Sequence, residues 1–210
     1  MTSTPGTDAG VRARLSRPER REQLLQAAQE VFVAQGYHAA AMDDIAERAG
    51  VSKPVLYQHF PGKLELYLAL LDVHIGALMG EVRAALSSTT VNKLRVAALI
   101  ESYFRFVQDE GAAFRLVFES DLTNEPAVRE RLERVTEQCA EAIADVIEED
   151  TGLPREESML LGVAQAGMAQ VTARYWVAGQ GGLPRAEAAE LIARLAWRGI
   201  RGFPRSGEPG

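Results

Sequence analysis

Apolar positions along this chain recur with a period near 3.6 residues from Leu24 to Leu195, and none of the apolar runs is long enough to span a lipid bilayer. The pattern predicts an all-α fold. Pro18 opens a first helix to about Gln35, with Leu24, Ala27, Ala28, Val31 and Phe32 on its apolar stripe, and Gly36 stops it. Met42, Ile45, Ala46 and Ala49 fall at i, i+3, i+4 and i+7, one face of a second, short helix. Gly50 suits the left-handed position that ends this helix, and Ser52 can cap a third, in whose first turn Pro54 is tolerated. Val51, Leu56 and Phe60 point back to the second helix. Lys53, Pro54, Val55, Tyr57, Gln58 and His59 are left outward, a face without an acid and of the composition a DNA major groove requires.

Beyond Phe60-Pro61-Gly62 the pattern predicts a long helix from Lys63 to about Ala85 that links two parts of the molecule. Its Gly76 and Gly80 form a G-x-x-x-G pair, read as close helix packing or room for a ligand. Further helices are expected over about 91–110, in a short segment AAFRLVFESD, and over about 126–150. In the last of these, Val128, Leu132, Val135, Cys139, Ala142 and Val146 form a seam. The stretch from Met159 to Val177 is apolar around most of its circumference and needs cover on all sides; a final helix runs from Pro184 to about Arg201. The expected architecture has about nine helices. It comprises a basic tail without periodicity over residues 1–17, a helix-turn-helix unit over 18–78 with its motif at about 41–60, a larger helical domain over 79–203, and a flexible end over 204–210.

Composition constrains function only in part. The net charge of −6 argues at first against a nucleic-acid partner, but residues 1–63 carry +1 and the remainder −7, and five arginines fall in the first 21 residues. Phosphate attraction follows the local field, so an acidic far domain does not exclude DNA. A single cysteine, Cys139, and the lack of an apolar leader after Met1 fit a cytoplasmic protein with no membrane partner. Enzyme chemistry has no constellation here: there is no phosphate-binding Lys-Ser/Thr loop, no H-E-x-x-H, no G-x-S-x-G and no paired-cysteine spacing. His38, His59 and His74 are well separated, so neither a metal nor a cofactor is expected.

The run AMDDIAERAGVSKPVLYQHFPGKLELYLALL resembles the DNA-binding segment of the tetracycline-repressor (TetR) family of bacterial regulators, with its I-A-x-x-A-G-V-S-x-x-x-L-Y-x-H-F-x-x-K-x-x-L pattern. The resemblance implies an operator-binding homodimer, most often a repressor, released by a small apolar or aromatic effector. It carries DNA contacts onto Ala41, Met42, Ser52, Lys53, Pro54, Val55, Tyr57, Gln58, His59 and Lys63. Lys53 would donate to guanine, and Tyr57, His59 and Lys63 would hold phosphates. The chain departs from the pattern at Ala40 and Ala41, where a capping Thr or Ser is usual, and at Val55. The same resemblance implies an effector pocket among Tyr103, Phe106, Phe114, Phe118, Cys139, Met168 and Tyr175, and a dimer face including Ala166, Ala169, Ala173, Leu191 and Leu195. A competing expectation is a dimeric small-molecule or lipid carrier that keeps the helix-turn-helix as scaffold.

Overall fold

A computed structural model describes residues 15–109, 111, 122, 124–180 and 182–199. Among the described residues there is no strand, and eight α-helices follow in order: α1 (Arg17–Ala39), α2 (Met42–Arg48), α3 (Lys53–His59), α4 (Lys63–Ser87), α5 (Asn92–Asp109), α6 (Pro126–Thr151), α7 (Arg155–Tyr175) and α8 (Arg185–Arg198). A π-helical turn, Trp176–Gln180, continues α7. The expected basic tail up to residue 14, the segment AAFRLVFESD with Phe114 and Phe118, and the C-terminal residues from 200 lie outside the described residues.

Local chemistry explains the helix limits. Ser16 and Glu19 form a reciprocal capping box at the start of α1, the Glu19 carboxylate accepting from the Ser16 N–H at 2.7 Å and Ser16 Oγ from the Glu19 N–H at 3.4 Å. Gly36, at φ +77°, breaks the helical path of α1 near its end. The α2–α3 turn is a Schellman closure: the Gly50 N–H donates to Glu47 O at 2.9 Å and the Val51 N–H to Ala46 O at 3.0 Å, with Gly50 at φ +64°.

Two buried clusters divide the molecule. The first joins Leu24, Ala28 and Phe32 of α1, Ile45 of α2, Leu56 of α3, and Leu66 to Leu71 of α4. The second joins Leu78 to Leu86 of α4 with Leu99 to Val107 of α5, Val135 to Ile143 of α6, the inner face of α7 and Ala188 and Ala189 of α8. Ile75 packs on both. Helix α6 also crosses the junction, because Val128 at its start is buried in the first cluster and Leu132 packs against it. An ion pair between Arg131 of α6 and Asp72 of α4, at 2.8 Å, spans the same level.

The two glycines Gly76 and Gly80 correct a sequence expectation. Both are exposed, and a Cβ at either would meet nothing within 4 Å, so they serve no close helix contact. The close approach is instead at Gly162 of α7, where a Cβ would collide with the Ala140 carbonyl oxygen of α6.

Candidate nucleic-acid interface

Helix α3 is held in place by its one fully buried side chain, Leu56, and by Phe60 just beyond it, which fixes the rest of its circumference toward solvent. Lys53, Pro54, Tyr57 and Gln58 are exposed, Tyr57 by 48 %, while Val55 and His59 are half-buried. One expectation about the local caps is corrected. Ser52 makes no side-chain bond to the α3 N-terminus; its carbonyl accepts from Val55 and Leu56, so the turn is closed by backbone. At Ala41 no hydroxyl accepts from the first turn of α2, and only the reciprocal half of a capping box remains, the Asp44 carboxylate accepting from the Ala41 N–H at 3.4 Å. Ala41 is exposed beside α3, whereas Met42, expected on the contact surface, is buried in the first core.

Electrostatics around α3 are shaped by residues distant in sequence. Lys53 Nζ lies 2.6 Å from Asp43 Oδ2 of α2, and this bond holds the ammonium pKa above its usual value. At the other end of α3, burial pushes the His59 imidazole pKa down, and Arg17, Arg21 and Arg20 of α1 push it further. Those three arginines therefore converge on the same edge as His59. Arg21 also lies 4.5 Å over the Phe60 ring, which ties the start of α1 to the end of α3. Gln23 of α1 donates to the Ala49 carbonyl at 2.9 Å and so secures the α2 end of the turn. The basic character of residues 17–21 was visible in sequence; its placement beside His59 depends on how α1 packs.

Lys63 is engaged within the protein. Its Nζ donates to the carbonyls of Tyr37 at 2.8 Å, His38 at 3.3 Å and Ala40 at 2.9 Å, and it stands 4.5 Å over the Tyr37 ring. An ammonium has three donors, so these acceptors use all of them. Lys63 thus ties the α1–α2 connection to the N-terminus of α4.

The larger domain places its expected residues differently from one another. Tyr103, Phe106 and Cys139 are buried in the second core, Cys139 Sγ lying 3.4 Å from Met79 Sδ. Burial pushes both the Cys139 thiol and the Tyr103 hydroxyl pKa up. Met168 is half-buried and Tyr175 exposed. A cavity of about 270 Å³ instead opens between the end of α4 and helices α5, α6, α7 and α8, with Leu86, Leu99, Ile143, Val146, Ile147 and Trp197 as apolar wall. Arg95 and Asp150, paired at 2.5 Å, and Gln165 are its principal polar lining. Gln165 Oε1 is buried and has no hydrogen-bond partner among the described residues. Sequence periodicity could not find this site, because its walls come from five helices, from Leu86 at the end of α4 to Trp197 in α8.

The alanines expected at a dimer face are spent inside the protomer: Ala166, Ala169 and Ala173 are at most 1 % exposed and pack in the second core. Leu160, Leu161, Val163, Val171 and Tyr175 are large apolar side chains that α7 turns outward, joined by Leu191 and Trp197 on α8; Leu195 is half-buried. Among the described residues, no group of three His, Cys, Asp or Glu side chains stands ready for a metal ion, and no helix is long and apolar enough to cross a membrane.

Residues 24–70, which contain α2 and α3, match the family model of bacterial regulatory proteins of the tetR family. The HTH-type transcriptional activator FasR of Mycolicibacterium smegmatis is 46 % identical over 191 residues, covering 91 % of this chain and 87 % of that protein. The chain belongs to the TetR family of transcriptional regulators. Its fold is that of solved family members: a TetR-like regulator from Rhodococcus sp. RHA1 superposes with a TM-score of 0.72 at 26 % identity, covering 90 % of this chain and all of the other. The regulator FadR from Bacillus subtilis, solved in complex with stearoyl-CoA, gives a TM-score of 0.70 at 19 % identity over 85 % of this chain and 98 % of its own, a likeness of fold alone.

Proposed function

We propose that this family member is a homodimeric, sequence-selective DNA-binding regulator that activates transcription and whose larger domain senses a compound with a long acyl chain. The observation that carries the DNA side is the outward face of α3, with Lys53, Tyr57 and Gln58 flanked by His59 and the arginines of α1, on a protein otherwise acidic. In this reading two copies of α3 enter successive major grooves about one DNA turn apart. Pairing uses the outward apolar stripe of α7 and α8, on which Leu160, Leu161, Val163, Val171, Tyr175, Leu191 and Trp197 are exposed. Repression is the family-wide expectation; activation is adopted because a relative sharing 46 % of the sequence over most of both chains is named an activator.

For the effector, the support is the apolar second domain with its cavity of about 270 Å³, and the stearoyl-CoA complex of a protein of the same fold. A tenfold change in operator affinity requires only about 1.4 kcal/mol of difference between the two states in ligand binding. The test is a gel-shift titration on the DNA upstream of its own gene, followed by run-off transcription on the same template. Lys53→Ala and Tyr57→Ala are expected to weaken selective retention at least tenfold, stearoyl-CoA to change it, and the wild-type protein to raise transcript yield. Equal retention by both variants would remove the DNA interface proposed here, and a carrier would show neither selectivity nor salt dependence.

A further inference from the structure

The base-reading lysine does not stand alone on this surface. Asp43, from the first turn of α2, places its carboxylate 2.6 Å from Lys53 Nζ, and both side chains are more than half exposed, 57 % and 61 %. An acid on a face that approaches phosphates works against binding unless it has a use there. The pair also spans two helices whose relative position is fixed by the Gly50 closure and by the bond from Gln23 to Ala49, so the backbones that carry the two side chains are held at a set separation.

The edge of a G·C pair in the major groove presents guanine N7 and O6 as acceptors and, beside them, the cytosine N4 amino group as a donor. An ammonium and a carboxylate side by side are the complement of that edge. A phosphate, by contrast, offers only acceptors. Lys53 turned to a phosphate must leave Asp43, which then faces the backbone with no donor to bind. An A·T edge sets its one donor, adenine N6, between the acceptors adenine N7 and thymine O4, so a carboxylate on N6 leaves the lysine a single neighbouring acceptor in place of the adjacent N7 and O6 of guanine.

Resting on the proposed DNA interface, we infer that Asp43 is a specificity-determining residue: Lys53 and Asp43 read one G·C pair together, Lys53 donating to guanine and Asp43 accepting from cytosine N4, and Asp43 holds Lys53 back from sequence-blind phosphate binding. The inference makes an unusual demand. Removing an acid must strengthen binding to the wrong DNA while weakening discrimination.

The experiment uses the full chain, first to select operators from a random duplex library and then to measure affinity for the selected duplex and for poly(dA-dT) across a salt series. Asp43→Ala is expected to bind poly(dA-dT) several-fold more tightly than wild type, with a log K against log salt slope steeper by about one as Lys53 is freed for a phosphate. Its preference for the selected duplex over one with the G·C pair replaced by A·T is expected to fall about tenfold. Asp43→Asn, which keeps an acceptor and loses the charge, is expected to steepen the salt slope in the same way while retaining part of the base preference. The Asp43 side chain is exposed, and unchanged thermal unfolding of both variants would establish that the surface alone has changed. A selective wild-type protein whose Asp43→Ala variant keeps the same salt slope and the same preference overturns the role of Asp43 and leaves the interface standing. A wild-type protein that selects no sequence overturns the interface and this inference together.

Discussion

His59 gives the interface a pH dependence whose sign is set by its neighbours. Burial first, and the three α1 arginines second, lower its pKa, so the free protein holds it neutral near pH 7. Folded His59 binds a proton less readily than unfolded His59. Its contribution to stability is therefore complete above the unfolded value of about 6.5 and is lost as pH falls from there through the lowered folded value. A phosphate brought to the same edge reverses the preference, so operator binding takes up a proton. Affinity is expected to rise as pH falls from 7.5 to 6, by no more than tenfold per unit for one proton, and His59→Gln to flatten that slope in fluorescence-anisotropy titrations. Identical slopes for the two proteins would place His59 away from the phosphates. Lys63 shows what residue patterns conceal. Its motif position suggests a phosphate contact, but three carbonyls 23 to 26 residues away in sequence hold its ammonium. Lys63→Met is expected to lose about 2 kcal/mol of stability, read as a lower urea midpoint at unchanged m, because charged hydrogen bonds of this kind contribute on that order. A salt slope of DNA binding reduced by one in this variant, without loss of stability, would instead mark a phosphate contact.

At the scale of elements, what was legible in sequence followed from the strength of periodicity and punctuation. Helices α1 to α4 and the left-handed Gly50 could be read because each has one apolar face and a definite stop, so that facing in or out is decided locally. Helix α7 is apolar around most of its girth, and there the pattern carries no direction. The alanines expected outward are the ones buried, and the outward positions include Leu160, Leu161, Val163, Val171 and Tyr175. What orients α7 is a steric requirement invisible to hydropathy: Gly162 lies against the Ala140 carbonyl of α6, and Ser158, with no exposure, sits one turn earlier on the same inner side. Gly162→Ala forces α6 and α7 apart and is expected to cost about 1–3 kcal/mol, in the range of overpacked cores, seen as a lower unfolding midpoint. The cost should be absent in Gly76→Ala and Gly80→Ala, whose Cβ positions are open and where alanine favours the helix by up to about 1 kcal/mol. If Gly162→Ala matched those two, the α6–α7 contact would not be what fixes the orientation of α7. The Asp43–Lys53 pair and the cavity of the larger domain escaped sequence reading for a related reason, since each is made by packing between helices and neither has a spacing.

Across the whole molecule, two helices connect the reading head to the larger domain, and their construction suggests how one part informs the other. Helix α4 belongs to both cores and α6 starts in the first and ends in the second, with Arg131 and Asp72 clamping them at the boundary. A shift of α6 relative to α4 in the second core cannot stop at that boundary, because Val128 is fully buried beneath the DNA-binding unit. Such a shift changes DNA affinity only if two heads are held at a fixed separation, so the proposed coupling requires a dimer. Leu160→Glu combined with Val171→Glu places two charges on the outward stripe of α7 without touching either core, since those side chains are 71 % and 56 % exposed in the protomer. The double variant is expected to elute as a monomer in size-exclusion chromatography with its helical circular dichroism intact, and to lose about a hundredfold or more in operator affinity as binding falls from two linked half-sites to one. Binding to a single half-site duplex should be unaffected, because α3 and its arginine flank are built entirely within one chain. A variant that remained dimeric and bound the full operator normally would move the pairing surface elsewhere and leave the mechanical link between α6 and α3 without the fixed partner it acts against.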